Sequence, residues 1–378
     1  MSREEHPGLY IHIPFCRSKC LYCDFYSITS LDSIREWLQA VQKEVLLYKE
    51  KFRVFDSLYL GGGTPTLLGE RELAELLECV HEHFTFCSGS EITIEANPDS
   101  LDTDKLKALG DLGINRISLG VQSLDDRDLK WLGRIHNLKQ ALGALEMIRS
   151  SGFADLGVDL MYGLETQSLQ GWKRTVDRVL EFGPEHISCY RMTLEKTVPL
   201  WKMMEAGRVR PIGEKLESAF FIWTSRHLGK HGYQHYEISN FARGPEFMSR
   251  HNRKYWNHTP YLGLGPSAHS FSGKFGCGPA TRWWNVRSVS EYCRLLAEGK
   301  PPVESSEVLS EEQFDLESLY LGFRTSDGAD LHAPGGGLRA GRALTELRRA
   351  GLVKVLDGRI KPTRKGFLVA DSIPLMFL

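Results

Sequence analysis

The stretch LYIHIPFCRSKCLYC, residues 9–23, sets the fold, because it joins a short apolar run directly to a group of cysteines. The run at residues 9–14 ends in a proline, as strands commonly do. Cys16, Cys20 and Cys23 follow at once, with three and then two residues between them. In parallel sheets and barrels the chemistry lies where the strands end. The junction therefore predicts a first strand followed by a functional loop.

Further apolar runs follow the first, and helical patterns separate them. Runs bounded by Gly, Pro, Asn or Asp are typical of strands, and apolar residues spaced i, i+3 and i+7 indicate helices. Such alternation predicts βαβ units with right-handed crossovers and a parallel sheet. We therefore expect an α/β fold built on a partial (β/α)6 TIM-like barrel rather than a short doubly wound sheet. The six runs occupy residues 9–14, 57–61, 92–97, 116–121, 156–162 and 186–192.

The second half of the chain has a different pattern. A helix is expected near residues 219–227 and an extended segment at 234–241, followed by a stretch at 244–285 that is rich in Gly, Pro, Asn and aromatic residues. The sequence KPP at 300–302 is typical of a linker.

The C-terminal part has the outline of a winged helix. Two helices, near residues 311–323 and 338–350, flank a Gly-rich loop at 335–337, and a hairpin with Asp357-Gly358 at its turn follows. Three domains are expected: a core at 1–240, an aromatic and Gly-rich connecting region at 241–300, and a C-terminal α+β extension with a winged-helix-like domain at 301–378.

Composition restricts the classes of function. The 378 residues include 47 Lys+Arg and 48 Asp+Glu, so the formal net charge is −1. Near-neutral charge disfavours nucleic acid as the partner, even for the winged-helix outline. No apolar run approaches the roughly 18 residues that span a bilayer, and the first residues have the pattern of neither a secretory signal nor a transit peptide. We expect a cytoplasmic protein that does not span a membrane.

The cysteines are unevenly distributed. Disulfides are rare in cytosolic chains, where a tight cysteine group more often binds metal. An iron–sulfur cluster normally takes four cysteines, so three would leave one iron open. A structural zinc ion also takes four ligands, and His12 is the nearest extra donor. The residues alone leave iron–sulfur, zinc and coincidence open. The other five cysteines are expected to be buried thiols: Cys79, Cys87, Cys189, Cys277 and Cys293.

Several motifs point to one family. The segment YIHIPFCRSKCLYCDF at 10–25 resembles the CxxxCxxC signature of the radical S-adenosylmethionine (SAM) family, and GGGTPT at 61–66 is similar to its SAM-binding loop. Together with four later motifs, these segments resemble the oxygen-independent coproporphyrinogen oxidase-like branch over nearly the whole chain. The later motifs are IEANP at 94–98, GVQS at 120–123, GRIH at 133–136 and DLMYGL at 159–164.

The resemblance implies a [4Fe-4S] cluster on Cys16, Cys20 and Cys23, with SAM on the open iron. One electron from the reduced cluster would cleave the sulfonium to methionine and a 5′-deoxyadenosyl radical. We assign no catalytic side chain. The residues that match SAM-contacting positions of the branch are Tyr10, Gly62, Gly63, Thr64, Glu95, Gln122, Arg134 and Asp159, with Thr193 as a weaker match.

Two features separate the members of this branch. Its dehydrogenases carry a fourth cysteine where this chain has Phe25, and a longer extension than the nine residues that precede Tyr10. The segment HNRKYW at 251–256 instead resembles the HNxxYW hallmark of the branch's heme chaperones. That resemblance implies His251 as heme ligand, with Tyr255 and Trp256 as flat apolar surfaces.

Neighbouring residues complete the heme prediction. The segment at 261–271 also matches this branch and makes His269 a second candidate ligand. No CxxCH motif occurs in the sequence, so c-type heme attachment is unsupported.

Three hypotheses follow. The first is a heme chaperone that binds heme, SAM and a [4Fe-4S] cluster and delivers heme to apo-hemoprotein acceptors, with a homodimer left open. The second is a radical SAM coproporphyrinogen III dehydrogenase of porphyrin biosynthesis, which the residue Phe25 disfavours. The third is a zinc-stabilised scaffold. Enzymatic activity stays an open question at this level.

Overall fold

The structure, a computed structural model, describes residues 6–273, 280–330 and 338–377. Cys277 and the expected Gly-rich loop at 335–337 lie outside these ranges. The first half alternates strands and helices as expected. In chain order these are β1 (Gly8–Ile13), α1 (Ile34–Tyr48), β2 (Val54–Gly62), α2 (Glu70–His83), β3 (Thr85–Ala96), α3 (Thr103–Asp111), β4 (Arg116–Gln122), α4 (Asp126–Leu132), α5 (Leu138–Ser150), β5 (Asp155–Tyr162), α6 (Leu169–Leu180) and β6 (His186–Arg191).

The second half contains shorter strands and helices. In chain order these are α7 (Pro199–Glu205), α8 (Glu214–Lys230), β7 (Gln234–His235), β8 (Asn240–Ala242), α9 (Arg250–Trp256), β9 (Tyr261–Leu264), β10 (His269–Ser272), β11 (Ala280–Asn285), α10 (Val289–Ala297), β12 (Val303–Leu309), α11 (Glu311–Phe323), β13 (Ala329–Asp330), α12 (Leu338–Arg349), β14 (Val353–Leu356), β15 (Arg359–Pro362) and α13 (Arg364–Phe367).

One large sheet organises the molecule. Across the described ranges it has twelve strands in the order β12-β11-β10-β9-β1-β2-β3-β4-β5-β6-β8-β7. Strands β1 to β6 are parallel to one another, and β9 joins β1 in the same direction on its other side. The edge strands are antiparallel, and the sheet stays open because β12 and β7 do not pair. The expected partial (β/α)6 arrangement is therefore confirmed, without barrel closure.

Burial explains why the first strands form where they do. Leu9, Ile11 and Ile13 of β1 are fully buried, as in a parallel strand with both faces covered. Helix α1 packs its apolar stripe, which includes Trp37 and Val41, into the same core. Elsewhere the ends of helices follow local chemistry: the Asn137 side chain accepts a hydrogen bond from the backbone N–H of Gln140 at the start of α5.

The region at 244–285 is more ordered than its composition predicts. The HNRKYW segment lies on helix α9 rather than in an aromatic loop, and the stretch also supplies β9, β10 and β11. Strand β12, which follows the expected linker, pairs with β11. These strands are short and rich in Gly and aromatic residues, so they lack the apolar runs of β1 to β6. The domain boundaries after 240 and 300 stay predictions.

The C-terminal segment has the helix, helix and hairpin expected of a winged-helix outline. Strands β13, β15 and β14 form a separate three-stranded sheet beside α11 and α12. The turn between β14 and β15 has Asp357 at φ 53° and Gly358 at φ 71°, the positive values that a tight two-residue hairpin needs. None of the helices in the described ranges is long and apolar enough to cross a bilayer.

A buried carboxyl group ties the two halves of the sheet together. Glu44 on α1 is fully buried and accepts hydrogen bonds from the Asn285 side chain at 2.7 Å, the backbone N–H of Gly265 at 2.8 Å and the Tyr292 hydroxyl at 2.5 Å. Burial raises the pKa of Glu44 from 4.5 to about 7. The group therefore holds β9, β11 and α10 against the first helix.

We expect Glu44→Ala to lower the free energy of unfolding by about 3 kcal/mol or more, since it leaves several buried donors unpaired. Glu44→Gln, which keeps an acceptor oxygen, should cost less. Urea denaturation monitored by circular dichroism checks both variants. A Glu44→Ala midpoint equal to that of the wild type would contradict this role.

The same carboxyl predicts a pH dependence of stability. Because its pKa is raised in the folded state, from 4.5 to about 7, protonated Glu44 stabilises the fold below about pH 4.5, and this contribution is lost as the pH rises through 7. The difference in unfolding free energy between wild type and Glu44→Gln should therefore shift against the wild type over that range. Denaturation curves at several pH values measure it, and parallel curves would contradict the prediction.

Candidate functional site

Neighbouring parallel strands bring most of the predicted residues to one edge of the sheet. The carboxyl ends of parallel strands meet there, and each strand contributes the residues at its end. Strand β1 leads into the cysteines, while β2, β3, β4 and β5 supply the residues predicted to contact SAM. These are Gly62 at the end of β2 with Gly63 and Thr64 just after it, Glu95 in β3, Gln122 in β4 and Asp159 in β5.

The cysteine loop joins β1 to α1. Cys16, Cys20 and Cys23 are free thiols, each half-buried. The start of the loop is held by the Cys16 N–H, which donates to the Ile28 carbonyl at 2.9 Å, and by the Thr64 N–H, which donates to the Phe15 carbonyl at 2.7 Å. Burial raises the pKa of Cys16, and it raises the pKa of Cys23 to about 11. Burial therefore favours the protonated form of the Cys16 and Cys23 thiols.

Hydrogen-bond donors point at two of the three sulfurs. The Thr64 hydroxyl donates to Cys16 Sγ at 3.8 Å, and Arg134 Nη1 donates to Cys20 Sγ at 3.6 Å. Asn97 connects the two donors, because its Nδ2 donates to Thr64 Oγ1 at 2.9 Å and its Oδ1 accepts from Arg134 Nη2 at 2.6 Å. Sequence reasoning missed Asn97 as a site residue, although it lies inside the IEANP motif.

This donor set fits an iron–sulfur cluster. Three thiols share one loop, and hydrogen bonds to sulfur of the kind made by Thr64 and Arg134 tune the potential of such clusters. Within the described ranges no three His, Cys, Asp or Glu side chains are arranged as a preformed metal site. The zinc alternative needs a fourth ligand. His12 does not offer one, since its Nδ1 is bonded with the Tyr10 hydroxyl and its Nε2 with the Tyr26 carbonyl.

Two half-buried carboxyl groups face this edge. Glu95 accepts from the Tyr59 hydroxyl at 2.8 Å and from the Gly62 N–H at 3.1 Å, and Asp159 accepts from the Ser118 hydroxyl at 3.0 Å. Burial raises both pKa values, and together with the negative charge of Asp159 it brings the pKa of Glu95 to about 7. Such carboxyls suit the amino group and ribose hydroxyls of SAM, because each can still accept a hydrogen bond.

The remaining predicted positions differ in how closely they approach the site. Position 63 requires a glycine, because a Cβ there would lie 2.5 Å from the Phe15 carbonyl oxygen. Gln122 has φ 65° at the end of β4, a conformation that non-glycine residues rarely adopt outside functional or strained sites. Thr193, beyond β6, is exposed and does not line the central cavity.

A central cavity of about 620 Å³ opens beside these residues. Its size lies within the roughly 300–1,000 Å³ of small-molecule sites. Tyr10, Gly62 and Glu95 line one part of it, so three of the eight predicted SAM residues share this cavity with the predicted heme residues. Sequence reasoning missed Tyr59, Glu237, Arg287 and Arg324, which come from separate parts of the chain and carry no shared motif. The predicted heme-side residues on its walls are His251, Tyr255, Trp256 and His269. Phe25, which was not predicted as a heme residue, lines the same cavity.

The HNxxYW residues behave differently from one another. The His251 side chain is buried, with Nδ1 3.1 Å from Ser57 Oγ and Nε2 2.9 Å from the Tyr255 hydroxyl. Burial lowers the pKa of His251 to about 3, so its ring is neutral. Trp256 instead has a buried Nε1–H without a hydrogen-bond partner in the described structure, and Arg324 lies 5.9 Å from its ring centre. An unpaired donor on a cavity wall is available to a ligand.

Known proteins resemble this chain over nearly its full length. It is 34% identical to the heme chaperone HemW of Bacillus subtilis, with 98% of each chain covered. The chain belongs to the HemW family. HemW of Lactococcus lactis is 32% identical, with 98% of this chain and 96% of the relative covered. The bovine mitochondrial radical S-adenosyl methionine domain-containing protein 1 is 31% identical, with 99% and 88% covered.

The family model of the radical SAM superfamily matches residues 10–179. In fold, the chain is similar to coproporphyrinogen III oxidase (HemN) of Escherichia coli, with a TM-score of 0.84 at 24% identity over 100% of this chain and 91% of the other. The expected radical SAM fold and the assignment to the heme-chaperone group of its branch are therefore confirmed. Membership in the superfamily implies a [4Fe-4S] cluster and SAM, while the individual ligands stay predictions.

We expect Cys16→Ala, Cys20→Ala and Cys23→Ala each to abolish the visible absorbance of the cluster after anaerobic reconstitution, because the cluster is held by these three cysteines and needs each of them. Iron and sulfide analysis should show the same loss. Cys87→Ala, which removes a half-buried thiol on β3, is the matched control and should keep full absorbance. Full cluster content in any of the three loop variants would contradict the ligand assignment.

Proposed function

We propose that this protein is a heme chaperone that binds heme in the central cavity, beside a SAM-ligated [4Fe-4S] cluster, and passes heme to apo-hemoproteins. The observation that carries the proposal is the shared cavity, whose walls combine the predicted SAM residues Tyr10 and Glu95 with the aromatic end of HNxxYW. The HemW relatives support the proposal by their names as heme chaperones.

The chemistry of the walls suits a porphyrin. Heme is a flat apolar ring with carboxylate side chains, so it needs aromatic surface and cations. Tyr255, Trp256 and Phe25 offer ring surface, and Arg287 and Arg324 lie on the same walls. Stacked aromatic pairs contribute about 0.5–1.5 kcal/mol beyond area burial, and guanidinium groups pair with carboxylates through two parallel hydrogen bonds.

The SAM side of the cavity is built for close approach and charge matching. When bound, the cluster and SAM supply one-electron chemistry, while the protein provides binding and orientation. Gly62 has φ 110°, and together with Gly63 it lets the backbone come close to a ligand. Glu95 and Asp159 would accept from amino and hydroxyl groups. Arg134, already bonded to Cys20 Sγ and Asn97, adds positive charge beside the cluster loop.

The alternative is a radical SAM coproporphyrinogen III dehydrogenase of porphyrin biosynthesis. The similarity to HemN at 24% identity concerns the fold. At the position of the dehydrogenases' fourth cysteine this chain has Phe25, whose side chain is 69% exposed on the cavity wall. An exposed ring there offers surface to a flat ligand and no thiol for chemistry, which favours the chaperone.

Acceptors and assembly belong to the same proposal. We assign heme transfer to the cytoplasm, where the free thiols of the cysteine loop would stay reduced. Apo-hemoproteins are the proposed acceptors, and a homodimer is proposed for the cluster-loaded protein. Mass photometry before and after cluster reconstitution measures dimer formation, and an unchanged monomer mass would contradict the proposed homodimer.

Anaerobic titration of the reconstituted protein with heme tests the function. We expect a saturable Soret band, transfer of that band to a heme-free globin used as acceptor, and no vinyl-containing product from coproporphyrinogen III under reducing conditions. Serum albumin in place of the protein controls for non-specific heme binding. A chain without a Soret band, or one that turns over coproporphyrinogen III, would contradict the proposal.

A further inference from the structure

Three histidines line the central cavity, and they differ in whether a ring nitrogen is available. Iron coordination by histidine needs the lone pair of a neutral imidazole nitrogen. His12 and His251 each have both ring nitrogens bonded within the protein. The imidazole of His269 has no hydrogen bond to any of the described residues. Within the described residues, His269 is therefore the one of these three that can offer a ring nitrogen without breaking a hydrogen bond.

His251 is also held in place by packing. Its ring stacks on Tyr59 with 5.2 Å between ring centres. Strand β1 packs tightly against the other side of the ring, because a Cβ built on Gly8 would lie 2.8 Å from His251 Nδ1. Rotating the ring toward the cavity would break its bonds to Ser57 and Tyr255. These contacts indicate that His251 positions the Tyr255 hydroxyl and ring.

His269 occupies a more open position. It begins strand β10 directly opposite Trp284 on β11, and the two rings stack with 5.8 Å between their centres and 23° between their planes. The side chain is exposed where it lines the cavity. Partial burial, aided by the positive charge of Arg282, lowers the pKa of His269, which favours the neutral ring. Trp284 therefore fixes the ring while its nitrogens stay accessible.

The neighbours of His269 suit the rest of a heme. Arg287 follows shortly after Trp284, is exposed on the same cavity wall and donates through Nη2 to the Asp24 carbonyl at 2.6 Å. Its contact with the Asp24 carboxylate is longer, at 3.7 Å, so the guanidinium retains N–H groups for a second carboxylate. Phe25, next to Asp24, presents an exposed ring at the same wall.

We propose that His269 binds the heme iron and that Arg287 binds a heme propionate, while His251 has a positioning role. This inference rests on the proposed heme binding and names its ligand. It places the macrocycle against Phe25, two residues beyond Cys23, and therefore next to the cysteine loop rather than deep against α9.

The test compares full-length, anaerobically reconstituted wild type with His269→Ala, Arg287→Ala and Tyr255→Phe. Heme binding is followed by the Soret band, and axial ligation by the iron–histidine stretch of ferrous heme in resonance Raman spectra. We expect His269→Ala to lose the iron–histidine band and to raise the heme dissociation constant by about tenfold or more, equivalent to about 1.4 kcal/mol. Added imidazole should restore the coordinated spectrum.

The other variants separate ligation from positioning. Arg287→Ala should weaken binding and keep the iron–histidine band. Tyr255→Phe removes only the hydroxyl that bonds His251 Nε2, so it frees that nitrogen without creating a large cavity. This variant too should keep the iron–histidine band. His231→Ala, an exposed histidine after α8, is the matched control and should equal wild type. Cluster absorbance and circular dichroism should be unchanged in all of them.

Two results would overturn the inference, and they are distinguishable from failure of the proposed function. If wild type shows a heme Soret band with an iron–histidine stretch and His269→Ala keeps both at wild-type affinity, His269 is not the ligand although heme binding stands. If His251→Gln alone abolishes the stretch in a folded, cluster-loaded protein, His251 is the ligand. If wild type shows no Soret band, the proposed function itself fails.

Discussion

The site depends on the position of β1 in the middle of a parallel sheet. Its buried residues Leu9, Ile11 and Ile13 fix it between β2 on one side and β9 on the other. Parallel pairing brings the ends of neighbouring strands to one edge, so a loop that begins at Cys16 has to emerge beside the Gly-rich end of β2. Because β9 pairs with the other side of β1, the HNxxYW helix and β10 are brought to the same cavity. Cluster, SAM and heme residues therefore share one scaffold strand.

Burial shifts the titration of Glu95 and His251, which line the cavity, toward their neutral forms. Burial raises the pKa of Glu95 to about 7 and lowers the pKa of His251 to about 3. The cationic exceptions are the arginines, which keep their charge because guanidinium groups stay protonated in proteins. Arg134 lies at the cysteine loop and Arg287 at the opposite strand pair. Anionic ligands, an iron–sulfur cluster and carboxylates among them, thus meet positive charge at defined places.

The first half of the fold was readable from the sequence because strands β1 to β6 each contain a largely buried stretch that appears as an apolar run. The later strands could not be predicted in this way. Strand β9, for example, spans only Tyr261–Leu264 and is stabilised by pairing with β1. Motifs likewise located the cysteines and the HNxxYW segment, which the structure places on α9. The sequence could not reveal whether a ring nitrogen of His251 is free to bind a ligand, because its hydrogen-bond partner Ser57 lies 194 residues away in sequence. Spatial partners, rather than residue types, distinguish His251 from His269.

The pairing of β9 with β1 also has a consequence during translation. A growing chain folds from its N-terminal part as that part leaves the ribosome, yet β1 lacks one neighbour until residues 261–264 have been synthesised. Contacts of such large sequence separation form late, since a long loop has to close first. The nascent cysteine loop therefore stays next to an unfinished sheet edge until residues 261–264 have been made.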